Sequence, residues 1–174
     1  MTVDVRVCGP GDERALALIG QATFLDAFAG VLDGEDVLIH CETQHAPAVY
    51  KTWLADVRAR LWLAEAAQGG APVGYLVVAP ASLPLPDLRE HDLEVKRIYL
   101  LGRVQGTGLG RRLMNEAVTF AQQRGSRRLL LGVYGRNDRA IAFYERFGFT
   151  RVGTRRFRVG NHEYDDLILG LDIG

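Results

Sequence analysis

The chain of 174 residues contains little of what a disulfide scaffold or a metal site needs. It has two cysteines, Cys8 and Cys41, and four histidines scattered through the sequence. Two cysteines make neither a disulfide framework nor a metal cluster, and the histidines offer zinc no plausible set of ligands. We therefore expect no bound metal and a reducing, cytoplasmic compartment.

A net charge is also absent, because 21 Lys and Arg residues balance 21 Asp and Glu residues. Binding to a nucleic-acid backbone needs a basic excess, so nucleic acid is not an expected partner. No apolar run reaches the roughly 18 residues of a membrane span, and the N-terminus lacks the charged-then-apolar pattern of a signal peptide. We accordingly expect no membrane association.

What the sequence does contain is enough apolar material for a core, with 48% hydrophobic residues in a length typical of one domain. Alternating and helical periodicities predict an α/β (mixed α+β) fold in a single domain spanning 1–174, with a sheet of about seven strands flanked by helices. A first helix begins after Asp12, which we expect to cap it. The other predicted helices are 33–42, 47–56, 108–124 and 138–147, and the predicted strands are 2–8, 60–66, 72–79, 93–101, 127–134, 149–159 and 163–171.

The strongest local signal is the glycine-rich segment Gln105–Arg111, between a predicted strand and a predicted helix. Glycines let the backbone approach a ligand, and a helix start presents unpaired N–H groups that suit a diphosphate. A glycine turn without any ligand is the alternative. A dinucleotide fingerprint is excluded because Arg111 stands where glycine or alanine is needed, and a Walker loop is excluded because Gly-Lys-Ser/Thr is missing.

This segment resembles the phosphate turn of the GNAT acetyltransferases, Gln/Arg-x-x-Gly-x-Gly/Ala, at Gln105, Gly108 and Gly110. The next family motif is matched by Asn137-x-x-Ala140-Ile141-x-Phe143-Tyr144-x-x-x-Gly148-Phe149. The run Leu93–Tyr99 and the pair Thr23-Phe24 are further similar to bacterial polyamine acetyltransferases of the PaiA kind. The resemblance covers nearly the whole chain. It implies a mostly antiparallel sheet with a splayed central pair of strands.

The resemblance also implies acetyl-CoA as the co-substrate. Its pantetheine would pair with the main chain of Ile98, Tyr99 and Leu100 like an added strand, and Asn137 and Phe143 would lie beside it. Its diphosphate would lie on the backbone of the turn, whose residues are Gln105, Gly106, Thr107, Gly108, Leu109, Gly110 and Arg111.

Two residues are the catalytic candidates. Amine acetylation needs a base for the ammonium proton and an acid for the departing thiolate. Glu94, eleven positions before Gln105, is the candidate base, and we expect it to share a strand face with Lys96, Ile98 and Leu100. Tyr144 is the candidate acid, and the resemblance implies that its hydroxyl lies against the CoA sulfur. The alternatives are a carboxylate paired with Lys96 and a core tyrosine.

The acceptor cleft implied by the family lies between the first two helices and the last hairpin. Its candidate residues are Phe24, Phe28, Tyr164 and Asp165, with Glu35, Asp36 and Asp166 as further carboxylates. The predicted partner is a small-molecule amine, with a polyamine such as spermidine as the leading acceptor. Protein N-termini or ribosomal proteins are the alternative acceptors, and an acetyl-CoA sensor without activity is another. A homodimer is left open.

Overall fold

The computed structural model describes residues 1–174 and contains one seven-stranded sheet in the order β1-β2-β3-β4-β5-β7-β6. Only β4 and β5 pair in parallel, and all other neighbours are antiparallel. The strands are β1 Val3–Val7, β2 Arg60–Ala66, β3 Pro72–Pro80, β4 Leu93–Leu100, β5 Arg128–Tyr134, β6 Thr150–Val159 and β7 His162–Asp172. The predicted mostly antiparallel α/β fold is confirmed.

Five α-helices cover the two faces of the sheet. They are α1 Glu13–Phe28, α2 Gly34–Gln44, α3 Pro47–Ala55, α4 Leu109–Gln123 and α5 Asp138–Phe147. Leu113 and Phe120 of α4 and Ile141 of α5 belong to the largest hydrophobic core, on one face of the sheet. Leu16 of α1 and Tyr50 of α3 pack on the other face. None of these helices has the length and apolarity that crossing a bilayer would require.

The predicted elements all exist, and most of their ends differ from the prediction by one or two residues. A short 3-10 helix, Gly102–Val104, was not predicted. Asp12 stands at the N-cap of α1, as expected, but its side chain caps nothing there. Its carboxylate instead accepts hydrogen bonds from Arg6 at 2.9 Å and from the Gly9 N–H at 2.8 Å. A nearby guanidinium is thus a stronger partner than the helix N–H groups.

One irregularity in β4 decides which side chains meet. Val77 of β3 is opposite Arg97, and Val78 is opposite Val95, so Lys96 is an extra residue that forms a β-bulge. Leu93 and Val95 face the core under α4, and after the bulge Ile98 faces that same core. The expectation that Glu94 shares a face with Ile98 and Leu100 is therefore wrong. Glu94 lies on the side of Arg97 and Tyr99 because the extra residue reverses the alternation.

Candidate active site

A cleft of about 910 Å³ opens where β4 and β5 separate. The two strands pair only at Leu93 with Leu129 and at Glu94 with Leu130. Beyond these pairs they diverge, and the cleft passes between the face covered by α4 and α5 and the face covered by α1, α2 and α3. Main-chain or side-chain atoms of both catalytic candidates and of the glycine turn line this one space.

The edge of β4 that faces the gap carries unpaired backbone groups. The Leu101 N–H donates to the Val73 carbonyl of β3 at 2.9 Å. Since successive N–H groups of a strand point to opposite sides, those of Leu100 and Ile98 point toward the gap. The Leu100 carbonyl is already occupied, because Gln105 donates to it from Nε2 at 3.0 Å. The gap therefore offers the Leu100 N–H and the two polar groups of Ile98 to a ligand.

The glycine turn forms a tight path into α4. Gly106 and Gly108 have φ values of 78° and 87°, a left-handed conformation that other residues adopt only with strain. Gly108 is the N-cap of α4 and provides no side chain to its N–H groups. The first intrahelical N–H donor at this end is that of Arg112, which donates to the Gly108 carbonyl. The N–H groups before Arg112 are left for a ligand, as at other anion-binding helix starts.

Not every residue of the turn presents its side chain to the cleft. Five residues of the turn line it, namely Gln105, Gly106, Gly108, Gly110 and Arg111. The other two predicted residues are directed elsewhere.

Thr107 donates its hydroxyl to the Val104 carbonyl at 2.7 Å, and Leu109 is buried in the core next to β1. These two can contribute only main-chain groups. Arg112 is also directed away, because it donates to the Val3 carbonyl of β1 at 3.0 Å. Of the arginine pair at the start of α4, Arg111 is therefore the one at the cleft.

Helix α5 supplies further positive charge to this end of the cleft. Arg139 and Arg146 line it together with Phe143, and the three lie on one side of the helix at intervals of four and three residues. The sequence prediction included Phe143 and omitted the two arginines. Asn137 also lines the cleft, and its Oδ1 accepts a hydrogen bond from the Ala140 N–H at 3.2 Å. Asn137 thus caps α5 and leaves its amide NH₂ for a ligand.

Tyr144 is held in an apolar setting at the middle of the cleft. Its ring makes edge contacts with Phe143 and Phe149, at centroid distances of 5.4 and 5.8 Å. The residue is 8% exposed, and no protein group forms a hydrogen bond with its hydroxyl. Burial raises the pKa of Tyr144 above the ordinary value, so the phenol keeps its proton at neutral pH. A protonated hydroxyl without a partner is suited to donate to a ligand.

Glu94 is nearly buried and already paired. Its Oε2 accepts hydrogen bonds from the Lys96 ammonium at 2.6 Å and from the Ser82 N–H at 3.1 Å. The ion pair that was the alternative interpretation of Glu94 is therefore present. Both of these hydrogen bonds fall on Oε2 and leave Oε1 without a protein donor, and Glu94 lines the cleft. One carboxylate oxygen is left to accept a proton from a water or a ligand.

The aromatic residues predicted for the acceptor site line the other end of the cleft. Phe24 and Phe28 of α1 pack with ring centroids 4.6 Å apart, and Tyr134 lies between Phe28 and Tyr164. The Tyr164 hydroxyl donates to the buried Asp36 at 2.7 Å. This bond fixes the tyrosine ring against the cleft wall.

The carboxylates predicted for the acceptor site do not converge. Asp165 faces solvent, with a side chain 86% exposed and 3.4 Å from Arg156, so its placement in the cleft is wrong. Adjacent side chains of a strand point to opposite faces, and in β7 the neighbour that faces the cleft is Asp166. Asp166 is paired with Arg155 at 3.1 Å. Gly132 leaves the space for that guanidinium, because a Cβ there would collide with it.

Asp36 is also unavailable to an amine. Burial acts to raise its pKa, but hydrogen bonds from Tyr164, the Asn161 N–H and His162 outweigh this and hold the pKa below the usual value. The carboxylate is completely buried and ties α2 to the last hairpin. Glu35 is exposed and is absent from the cleft lining. Of the four carboxylates predicted for the acceptor, only Asp166 borders the cleft.

Three polar side chains at this end were not singled out as site residues from the sequence. His40 and His45 are buried beside Phe24, with ring centroids 4.3 and 5.4 Å from that ring. Arg97 lies next to His45 and also lines the cleft. The adjacent polar residues Lys96 and Arg97 interrupt the alternation of β4, and that interruption was the available signal for the bulge. The spacing of the two histidines carries no comparable signal.

The geometry can be compared with known proteins. The family model described as Acetyltransferase (GNAT) family matches residues 31–149. An uncharacterized N-acetyltransferase of Mycobacterium tuberculosis is 30% identical over 158 residues, which cover 91% of this chain and 96% of the relative. The N-alpha-acetyltransferase RimI of the same species is 40% identical over 91 residues, covering 52% of this chain and 53% of that protein.

The fold is similar to that of a solved acetyltransferase. The crystal structure of PaiA N-acetyltransferase from Thermoplasma acidophilum, in complex with coenzyme A, superposes with a TM-score of 0.80 and 16% sequence identity. The alignment covers 99% of each chain. At this level of identity the likeness describes the arrangement of helices and strands.

Proposed function

Because this chain belongs to the acetyltransferase (GNAT) family, we propose that it transfers the acetyl group of acetyl-CoA to the primary amine of a small acceptor bound in the cleft. One observation carries the proposal. The uncapped glycine turn, the unpaired edge of β4 and the partnerless Tyr144 hydroxyl all border the same space. These are three features that a thioester co-substrate with a diphosphate requires.

The residues present fit acetyl-CoA. The N–H groups of the turn and the charge of Arg111 would hold the diphosphate, with Arg139 and Arg146 close enough to add to the positive field. The N–H and carbonyl of Ile98 would pair with the pantetheine amides. Asn137 and Phe143 would border the same arm.

The chain's own groups can then perform the transfer. The amine nitrogen attacks the thioester carbonyl, and the carbon–sulfur bond breaks. Glu94 Oε1 would take the amine proton through water, the Leu100 N–H would stabilise the oxyanion, and Tyr144 would donate its proton to the leaving thiolate. Tyr144 suits this step because burial keeps it protonated. An amine with a pKa near 10.4 is almost wholly protonated at pH 7, so the base is needed.

Two classes of amine are candidates for the acceptor. A polyamine was predicted from the PaiA-like run Leu93–Tyr99 together with Asp165 and Asp166. The carboxylates found in the cleft, Glu94 and Asp166, are each paired with a cation. This weakens the argument for a polycation. A peptide N-terminus is the other candidate, and the similarity to the N-alpha-acetyltransferase RimI favours testing it.

The function can be tested by measuring free thiol released from acetyl-CoA with a panel of amines. Spermidine, a short peptide and a free amino acid are compared with a reaction that lacks acceptor. We expect thiol release that depends on at least one acceptor, and calorimetric binding of CoA. Binding without release on any amine would favour the sensor, and absence of binding would contradict the proposed site.

A further inference from the structure

The acceptor end of the cleft contains one cation without a counter-ion. Lys96 is paired with Glu94 at 2.6 Å and Arg155 with Asp166 at 3.1 Å. Arg97 forms no salt bridge. Its guanidinium lies over the rings of Trp53 and Tyr50, at 4.9 and 5.2 Å from their centroids.

Every hydrogen-bond partner of Arg97 is neutral. Nη2 donates to the Gln44 carbonyl at 2.7 Å, and Nη1 donates to the Tyr50 hydroxyl at 2.8 Å and to His45 Nδ1 at 3.2 Å. A guanidinium has five N–H donors, so two of them remain unused. The arrangement fixes the guanidinium firmly and leaves its charge uncompensated.

The same contact determines the tautomer of His45. His45 Nδ1 lies 3.2 Å from Arg97 Nη1 and 2.8 Å from the Tyr50 hydroxyl, which can donate or accept. An arginine N–H can only donate, so Nδ1 accepts from Arg97 and the proton of the neutral ring is on Nε2. Burial, together with the charge of Arg97, lowers the pKa of His45 to about 2, so the ring is neutral. His45 is 1% exposed, and its Nε2 has no hydrogen-bond partner. A buried N–H donor without an acceptor is costly in a folded protein.

The cluster of His45, Tyr50 and Arg97 packs closely against α1. A Cβ at Gly20 of α1 would collide with the Tyr50 hydroxyl and with His45 Nδ1. The absence of a side chain at that position therefore allows the rings to approach the helix. His45 and Arg97 both line the cleft, and Arg97 is on the same strand face as Glu94.

We propose that the acceptor carries a carboxylate beside its amine, and that the two unused N–H donors of Arg97 bind that carboxylate. The inference rests on the proposed function and specifies its substrate class as small amino acids. A carboxylate supplies the counter-ion that Arg97 lacks. Because Glu94 and Arg97 are three residues apart on one face, one small molecule can span both. The rings of Phe24 and Phe28 would contact an apolar side chain.

The test compares each amino acid with the amine that lacks only its carboxylate. The pairs are L-phenylalanine with 2-phenylethylamine, and L-leucine with 3-methylbutylamine. The measured quantity is the ratio of kcat/KM within a pair, in the wild type and in variants. A comparison of ratios between proteins cancels the intrinsic reactivity of the two amines.

We expect the wild type to prefer the amino acid, and Arg97→Gln to lower the ratio about 10-fold or more, mainly through the KM of the amino acid. Arg97→Lys keeps the charge and should retain more of the ratio. Arg151→Gln is the matched control, because Arg151 is exposed and contacts Glu145 outside the cleft. His45→Phe removes the Nδ1 acceptor that helps to hold the Arg97 guanidinium, and it provides a second measurement should Arg97→Gln fail to fold.

The outcomes separate this inference from the function on which it rests. Turnover of the amines with an unchanged ratio in the folded variants overturns the carboxylate assignment and leaves the acetyltransferase intact. The same holds if spermidine or a peptide is the better acceptor in the wild type. CoA binding without turnover of any amine overturns both proposals.

Discussion

Tyr144 is the residue whose environment is most specific to a chemical role. We predict that Tyr144→Phe lowers kcat by about 10²-fold or more, because a positioned general acid contributes roughly that much. The affinity for acetyl-CoA should be nearly unchanged, since the ring and its contacts with Phe143 and Phe149 are retained. Steady-state kinetics and calorimetry measure the two quantities. A loss below about fivefold would assign Tyr144 to packing.

Glu94 gives the second prediction for a single residue. Glu94→Gln keeps the size of the side chain and the acceptor for the Ser82 N–H, but removes the proton-accepting carboxylate. We expect the pH–rate profile to lose the limb that this base produces, so that the rate rises with pH only as the free amine does. Asp165→Asn, on the solvent side of β7, is the control and should leave the profile unaltered. An identical profile in Glu94→Gln would mean that bulk water removes the proton.

At the scale of elements, the start of α4 can be tested by its backbone. Gly108→Val forces a β-branched residue into a left-handed conformation with φ of 87°, at a cost of about 1–3 kcal/mol. It also places a side chain where the co-substrate would approach the backbone. We expect a large loss of CoA affinity, measured by calorimetry.

Gly125→Val is a matched control for this prediction. Gly125 follows the other end of α4 with φ of 74°, and neither glycine has another atom within 4 Å of the Cβ position. Both variants therefore carry similar backbone strain. Equal losses of affinity would show that the Gly108 effect is strain alone and that no diphosphate lies on the turn.

The elements also show what a sequence can and cannot predict. The glycine turn and the amphipathic patterns of α4 and α5 are local signals, and the helices appear where those patterns place them. The bulge at Lys96 is set by pairing with β3, which no local pattern specifies. The sequence prediction placed Asp165 in the cleft, although the alternation of side chains along a strand already opposes this. Tyr164 and Asp166 share one face of β7, and Asp165 lies on the other. The site of His45 and Arg97 depends on three separate elements meeting, so spacing gives no indication of it.

For the whole molecule, the buried histidines predict how stability varies with pH. Burial lowers the pKa of His40 to about 4 and that of His45 to about 2, with Arg97 adding to both shifts. Below pH 6.5 the unfolded chain binds these protons and the folded chain does not. Each histidine should then lower the unfolding free energy by about 1.4 kcal/mol per pH unit as the pH falls.

This dependence is measurable by denaturant unfolding between pH 7 and pH 4.5. We expect His45→Gln to lower the slope of the unfolding free energy against pH by the contribution of one histidine, about 1.4 kcal/mol per pH unit. His91→Gln is the control, because His91 is exposed on the loop before β4. If the slope is the same in all three proteins, His45 binds its proton in the folded chain as readily as in the unfolded one, and the neutral ring deduced for His45 would be wrong.

The gap between β4 and β5 has a mechanical consequence. The sheet consists of two halves, β1–β4 and β5–β7, and only two residue pairs join them, whereas β5 and β7 share seven. Such a joint is where the halves can hinge, and amide hydrogens along it should exchange with solvent faster than those within either half. A co-substrate that pairs with Ile98 and Leu100 would serve as a missing strand segment across the joint. Binding would then stiffen the molecule as a whole and raise the melting temperature as its concentration rises above Kd.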